Sequence, residues 1–368
     1  MKYKWKEQHF RELLSKDINE YDKHDINCMI DILHDVIDLD FFGITNNSEH
    51  DTFMTRFHRY HDGCEYLDEN LIQFASSIFS IEKNECNLFT YIEDNEYKLS
   101  NEDLIEFAYE ILKTLNNKYV LTIFNEIYTN RNNYLHICES NNNIVGTSQE
   151  LGGLTIPVYN NYKSYIVLFR NHTITDLQTL VHELLHAVRF RLFQTSPDRL
   201  NYFDELEGRF GNRLTYNYLL QNGYKFEGDE LLAKELYGIL YNSYMLYLNN
   251  ALFYTADKNK FRLRDATNEL RKRTKFKESR IRSNDIDEIC SINCFTIVTE
   301  IIDYLICLEL STKYNNPEDE YHKILELKKN DNYNYYHYEL YKQYDFYNDK
   351  VKALKKEKKY IDKFIQEK

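Results

Sequence analysis

Between Thr175 and Phe190 the chain reads TDLQTLVHELLHAVRF, with His182, Glu183 and His186 in the order His-Glu-x-x-His. On a helix the two histidines lie one turn apart on one face, so their imidazoles can grip one cation. Glu183 is turned to the side, near such a cation but not a ligand to it. Two neutral imidazoles plus an adjacent carboxylate is the arrangement that binds zinc and takes a proton from a zinc-activated water. A helix is expected here for two reasons. Thr175 and Gln178 have the spacing of a capping box. Leu177, Leu180, Val181, Leu184 and Val188 recur at helical spacing and mark a buried face, with the histidines beside it. The plain alternative is a pair of ordinary histidines on an amphipathic helix.

A catalytic zinc needs a third protein ligand and an open position. The next helix, expected from Tyr202 to about Leu220, begins YFDELEGRFGNRL and offers Asp204, Glu205 and Glu207. These point in different directions on a helix, so one serves more easily than the others. Glu205 is preferred. Gly208 lies three residues on, on the same face, and lets this helix approach the motif helix closely. Arg209 and Asn212 share that face and are placed to orient the carboxylate. The expected centre is therefore one zinc ion on His182, His186 and Glu205, with Glu183 as general base and Glu207 as the alternative third ligand.

Composition points to a largely helical chain. Of 368 residues only three are Pro and ten are Gly, with no Gly after Gly238. Apolar spacing near 3.6 marks helices at Trp5–Leu14, Ile26–Leu39, Leu71–Phe79 and Leu104–Leu115. Residues 131–170 change character. Tyr134–Cys138, Ile144–Thr147, Leu154–Tyr159 and Tyr165–Phe169 are short strand-like runs, broken at Asn141–Asn143, Gly152-Gly153 and Asn160-Asn161. A strand next to the motif helix can pair with an extended peptide, or serve only as a structural hairpin. Helices resume over residues 226–256 and 286–313, the latter apolar on most sides with Glu300 and Asp303 inside it. Residues 330–347 are Tyr-rich, and a charged amphipathic helix ends the chain. The fold class expected is mainly α, zincin-like, with a small sheet just before the motif helix and two helical walls around a cleft. Three regions are expected: 1–130 N-terminal and helical, 131–315 catalytic and zincin-like, and 316–368 a C-terminal helical segment.

The net charge of −13 argues against general nucleic-acid binding. From Lys258 to Arg282 the sign reverses, with eleven Lys or Arg against Asp265, Glu269 and Glu278, which reads as a solvated helical face. His58, His61 and Cys64 resemble a fragment of a metal cluster but lack a fourth ligand. Seven scattered cysteines without a CxxC pair read as reduced core residues of a cytoplasmic protein. No apolar leader opens the chain, and Cys294–Leu310 carries too many acids for a membrane span. The expected partner is a peptide, with neither nucleic acid nor membrane.

On these residues the chain resembles the gluzincin metallopeptidases, and among them the oligoendopeptidase F and thimet oligopeptidase family, over roughly residues 145–315. The resemblance lies in YIVLF (165–169) leading into the HELLH helix, in ELEGRF (205–210), and in YLICLELSTKY (304–314). It implies a helical fold around a deep channel, one zinc ion, and cleavage of short peptides. It also implies His182, His186 and Glu205 as zinc ligands and Glu183 as base. The chain departs from the family in three places. Leu185 replaces a usual glycine. His186 and Glu205 are 19 residues apart, a spacing nearer that of thermolysin. The His and Tyr expected to steady an oxyanion upstream of Tyr304 are missing from CFTIVTEIID. A regulatory zincin with one protein target, or a helical binding module without activity, are the rival readings.

Overall fold

The structure, a computed structural model, describes residues 96–139, 152–158, 163–193, 205–256, 294–329 and 346–367, besides isolated positions near the start of the chain. The expected helices at Trp5–Leu14, Ile26–Leu39 and Leu71–Phe79 lie outside the described residues, all but for isolated positions in the first two. So do the His58/His61/Cys64 group, the Ile144–Thr147 strand, Asp204, the basic stretch 258–282 and residues 330–345. The elements in order are α1 (Asn101–Lys113), α2 (Lys118–Thr129), a short α3 (Arg131–Tyr134), β1 (Leu135–Glu139), β2 (Gly153–Val158), β3 (Lys163–Arg170), α4 (Thr175–Phe193), α5 (Leu206–Gln221), α6 (Lys225–Ala256), α7 (Cys294–Lys313), α8 (Pro317–Lys329) and α9 (Phe346–Glu367). The described chain is thus mostly helical with one small sheet, as the scarcity of Gly and Pro implies.

Packing divides the chain into two compact units. The first holds the described residues between 96 and 232 and from 310 to 329; the second holds 233–256, 294–309 and 346–367. The second unit is a helical assembly with buried polar links. Asn242 Nδ2 donates to Glu300 Oε2 (2.7 Å), Tyr237 Oη to Asp362 Oδ1 (3.0 Å), and Tyr304 Oη to Glu357 Oε2 (2.6 Å). Cys307 of α7, like Cys138 of β1, is a buried thiol, consistent with a core role. No helix among the described residues is long and apolar enough to cross a membrane.

The first unit is built around α4. Its sheet has the order β1-β3-β2, with β1 parallel and β2 antiparallel to the central β3. Ile166, Val167, Leu168 and Phe169 of β3 are all buried, so this strand is covered on both faces and its sequence does not alternate. α4 packs against β2, β3, α1, α2 and α5. It is buried on almost every side, including Leu185, Ala187 and Phe190, which lie off the expected apolar stripe. The sequence pattern shows one face because some of the inward-facing residues are polar, and each of those has work to do. At the helix start, Asp176 is such a residue. Its carboxylate accepts from the amides of Asn171 (3.1 Å) and His172 (2.9 Å) and from Arg170 Nε (3.2 Å). Arg170 in turn donates to Leu99 O and Asn101 Oδ1, so the end of β3, the start of α1 and the start of α4 are tied at one point. The charges of this buried pair offset each other, and amides and carbonyls take their remaining hydrogen bonds. Near the other end, Arg191 reaches Glu126 of α2 (3.1 Å) and Ser164 of β3.

Helix α8 has no counterpart among the helices expected from apolar spacing. Its signal is instead the start sequence Asn-Pro-Glu-Asp-Glu. Asn316 Oδ1 accepts from the amide of Asp319 (2.8 Å), Pro317 takes the first helical position, and acids fill the first turn. α8 lies against α5, where Tyr321 stacks on Phe210 with ring centroids 5.3 Å apart. Beside it, burial pushes the Glu320 carboxyl up to about 7, with Arg213 pulling the other way. The folded value lies above the unfolded one, so the stability this group contributes is present below about pH 4.5 and lost as pH rises through about 7. Glu320→Gln should therefore raise stability by about 1–2 kcal/mol at pH 8 and change it little at pH 5. Urea unfolding at the two pH values checks this, and equal effects at both would remove the assignment.

Candidate metal centre

The motif helix forms as expected, and α4 presents His182 and His186 from consecutive turns, with ring centroids 4.7 Å apart and planes at 74°. Their Nε2 atoms are 3.0 Å apart. Glu205 stands at the N-cap of α5, where a carboxylate commonly folds back onto the helix amides. It makes no such cap bond. Its Oε2 lies instead 2.9 Å from His182 Nε2 and 3.4 Å from His186 Nε2. Three donor atoms from three side chains thus form a triangle with edges of 3.0, 2.9 and 3.4 Å. A tetrahedral zinc ion with bonds of about 2.0–2.1 Å needs ligand atoms about 3.3–3.4 Å apart. One edge matches and the other two are a few tenths of an ångström short, so the donors need to part only that far to hold such an ion; their chemistry suits it, and three protein donors leave a fourth position.

Backbone proximity makes this possible. A Cβ on Gly208 would lie 2.3 Å from His182 Cε1 and 2.4 Å from its Nε2. A Cβ on Gly211, one turn on, would meet Leu185 Cδ1 at 3.0 Å and His182 Cα at 3.3 Å. Two glycines on one face of α5 let it ride directly over α4. Gly208 has the role expected for it, and Gly211 extends it.

Behind the triangle the two histidines are held differently. His186 Nδ1 is 2.8 Å from Glu207 Oε1. Glu207 is 1% exposed and also forms an ion pair with Arg189 Nε. His182 Nδ1 is 3.3 Å from Asn212 Oδ1. Asn212 thus bears on a histidine of the triangle. Glu207, the alternative third ligand, faces the opposite ring nitrogen of His186 from Glu205.

Glu183 is buried against β2. The Thr155 hydroxyl lies 2.8 Å from both Glu183 Oε2 and the Glu183 carbonyl, and its one proton serves either in turn. A Cβ on Gly153 would stand 2.9 Å from Glu183 Cγ, so a glycine is needed where the strand passes the carboxylate. Neither Thr155, Arg189 nor the role of Glu207 was read from sequence. One signal was available, since Arg189 follows His186 by three residues and so shares its helix face. Tyr304, in the segment that resembles the end of a gluzincin catalytic domain, is engaged with Glu357 in the second unit.

The electrostatics are those of a cation site. Burial alone lowers the basicity of His186, but Glu205 and Glu207 outweigh it and push the imidazole up to about 10. Withdrawal from water opposes ionisation of Glu205, yet His186 and His182 hold its carboxyl well below the usual range. Burial likewise raises Glu207, and Arg189 and His186 more than offset it.

No protein-family model matches the chain, and no curated protein matches it. Its fold has solved counterparts. The crystal structure of a candidate oligoendopeptidase F from Bacillus anthracis str. Ames superposes with a TM-score of 0.56 at 13% identity, over 92% of this chain and 64% of that one. For a candidate peptidase from Chlamydophila abortus the TM-score is 0.49 at 12% identity, over 81% and 57%. The chain spans less than two thirds of the length of either. The fold is similar to that of the oligoendopeptidase F structure. At this identity the likeness extends to architecture: a mainly helical chain with a small sheet ahead of the motif helix.

Two outcomes follow from the geometry. Gly208→Ala should displace the His182 ring and weaken zinc binding by more than about tenfold, because such sites tolerate only about 0.5 Å of displacement. Wild-type affinity in that variant, by chelator competition, would contradict the close approach. A zinc ion must also displace the proton held at His186. Below about pH 10 the affinity should therefore keep rising by up to about tenfold per pH unit, where an ordinary histidine levels off near 6.5. Chelator competition between about pH 6 and 8.5 reads this, and a plateau above pH 7 would contradict it.

Proposed function

We propose that this chain is a zinc-dependent metallopeptidase that hydrolyses peptide bonds of oligopeptides, with one zinc ion held by His182, His186 and Glu205. The observation that carries the reading is the triangle of Nε2, Nε2 and Oε2 atoms, assembled from two helices and within a few tenths of an ångström of the spacing a tetrahedral ion needs. Zinc, when bound, supplies Lewis acidity that polarises a carbonyl and makes a water more acidic.

The remaining chemistry falls to the chain's own groups. Glu183 is the general base: it takes a proton from the attacking water and passes it to the leaving amine. Thr155 donates to Glu183 Oε2, so the other oxygen stays available to the reacting proton while the carboxylate is kept in one orientation. β2 pairs with β3 along one edge and, among the described residues, with nothing along the other. That edge carries Gly152, Gly153 and Leu154 past Glu183 and suits the backbone of an extended peptide. The fold likeness to an oligoendopeptidase F structure supports the peptide as substrate class.

Elemental analysis tests the centre first. About one zinc per chain is expected in the wild type and none in His182→Ala. Glu183→Gln should keep the zinc and lower turnover of a mixed peptide library by about 10²–10⁴-fold. Full turnover in Glu183→Gln would remove the mechanism, and absence of zinc from the wild type would remove the metal.

A further inference from the structure

One residue behind the triangle, Glu207, is more buried than any residue in it. Glu207 is 1% exposed, and no ligand role is left for it on the Nε2 side of His186. A buried carboxylate is costly unless paired and hydrogen-bonded. Here it is both, with Arg189 on one side and His186 Nδ1 on the same oxygen. Both partners come from α4, three residues apart on one face, while Glu207 comes from α5, two residues after Glu205. We propose that the Glu207–Arg189 pair is the positioning device of the centre, Glu207 fixing His186 with its proton on Nδ1 and Arg189 supplying the counter-charge that lets Glu207 stay buried.

The geometry requires this tautomer. An ionised carboxylate only accepts, so the 2.8 Å contact needs a proton on Nδ1. The proton that a metal displaces is then the one on Nε2, whose lone pair, once freed, is directed between His182 and Glu205, where a ligand atom is wanted. The orienting residues of the two histidines are unequal. His182 has a neutral amide oxygen at 3.3 Å, and His186 has a charged one at 2.8 Å. A charge-assisted contact is shorter and roughly twice as strong, and a carboxylate behind a histidine raises its basicity as a ligand. His186 is therefore the firmly held ligand of the pair and His182 the more adjustable one. The zinc consequence rests on the function proposed above; the Nδ1 proton does not.

The test uses the full chain and two readouts. The first is the ring ¹⁵N spectrum of metal-free protein. His186 should show an Nδ1 proton shielded from exchange, lost in Glu207→Ala. Its absence from the wild type would overturn the proposal whatever the metal does. The second is zinc affinity by chelator competition. Glu207→Gln should bind about 10–100-fold more weakly, and Asn212→Ala should lose less. Because Glu207→Gln leaves Arg189 without its counter-charge and risks misfolding, Arg189→Met/Glu207→Gln removes both charges together. That double variant should unfold near the wild-type temperature in the presence of EDTA, since apolar replacement of a buried pair is commonly neutral. It should nevertheless still bind zinc about 10–100-fold more weakly. Wild-type affinity in the double variant would show that Glu207 only fills space, and would overturn the proposal. A wild type that shows the Nδ1 proton but takes up no zinc would sink the proposed function and leave the Glu207–His186 link standing.

Discussion

The passage of α5 over α4 at Gly208 is the contact on which the rest of the centre depends. No side chain fits between the two helices there, since even a methyl group would fall inside the His182 ring. That closeness brings the N-cap of α5 within reach of two imidazoles one turn apart. It also sets where Glu207 and Asn212 land, because both are fixed to the same short stretch of α5. A helix pair held at a larger spacing would carry the same residues and form no triangle. The proposed metal-ligand set is thus a packing result as much as a motif.

Charge follows from that packing. Glu205 and Glu207, two residues apart, are both drawn to His186 and reach it from opposite ring nitrogens. Two carboxylates this near each other repel unless something positive lies between or beside them. His186 and Arg189 serve this purpose in the structure, and a divalent cation would do so more strongly at the Nε2 side. The buried, structural member of the pair has a permanent cation in Arg189. The other, Glu205, is more exposed and lies against the Nε2 atoms of His182 and His186.

Much of this was legible in the sequence because it depends on local periodicity. His182 and His186 at four-residue spacing, Gly208 three after Glu205, and the presence of α1, α6 and α9 are all consequences of helix geometry, though α1 begins three residues and α9 five residues before the expected starts. β3 was legible as an apolar run, and its place between β1 and β2 was not, since strand order depends on contacts far apart in sequence. The face of α4 was underestimated for a specific reason. Asp176, Glu183, Arg189 and Arg191 are charged yet buried, and a hydrophobicity pattern counts such residues as solvent-facing. Each has a partner on another element: Arg170 of β3, Thr155 of β2, Glu207 of α5 and Glu126 of α2. Nothing local announces these pairings. The helix α8 falls in a segment expected to be helical but was not delimited there, for the opposite reason: its evidence lay in a cap and a charged first turn rather than in an apolar stripe.

Glu183 shows why a proton-transfer group is placed where two kinds of element meet. A carboxylate on an exposed helix face would sample several rotamers and accept protons from bulk water. Here α4 supplies the backbone, and β2 supplies both a hydroxyl at Thr155 and a gap at Gly153 into which the side chain fits. The strand that restrains Glu183 is also the sheet edge proposed for an extended peptide. Because Glu183 stands on α4, a shift of β2 relative to α4 would change the separation between the two. The tie of Arg170, Asp176 and Asn101 at the start of α4 limits such shifts in the first place, by joining the central strand to the motif helix. Rigid secondary structure, buried ion pairs and two well-placed glycines therefore fix the groups of the proposed centre, and the proposed chemistry needs its groups held to within about half an ångström.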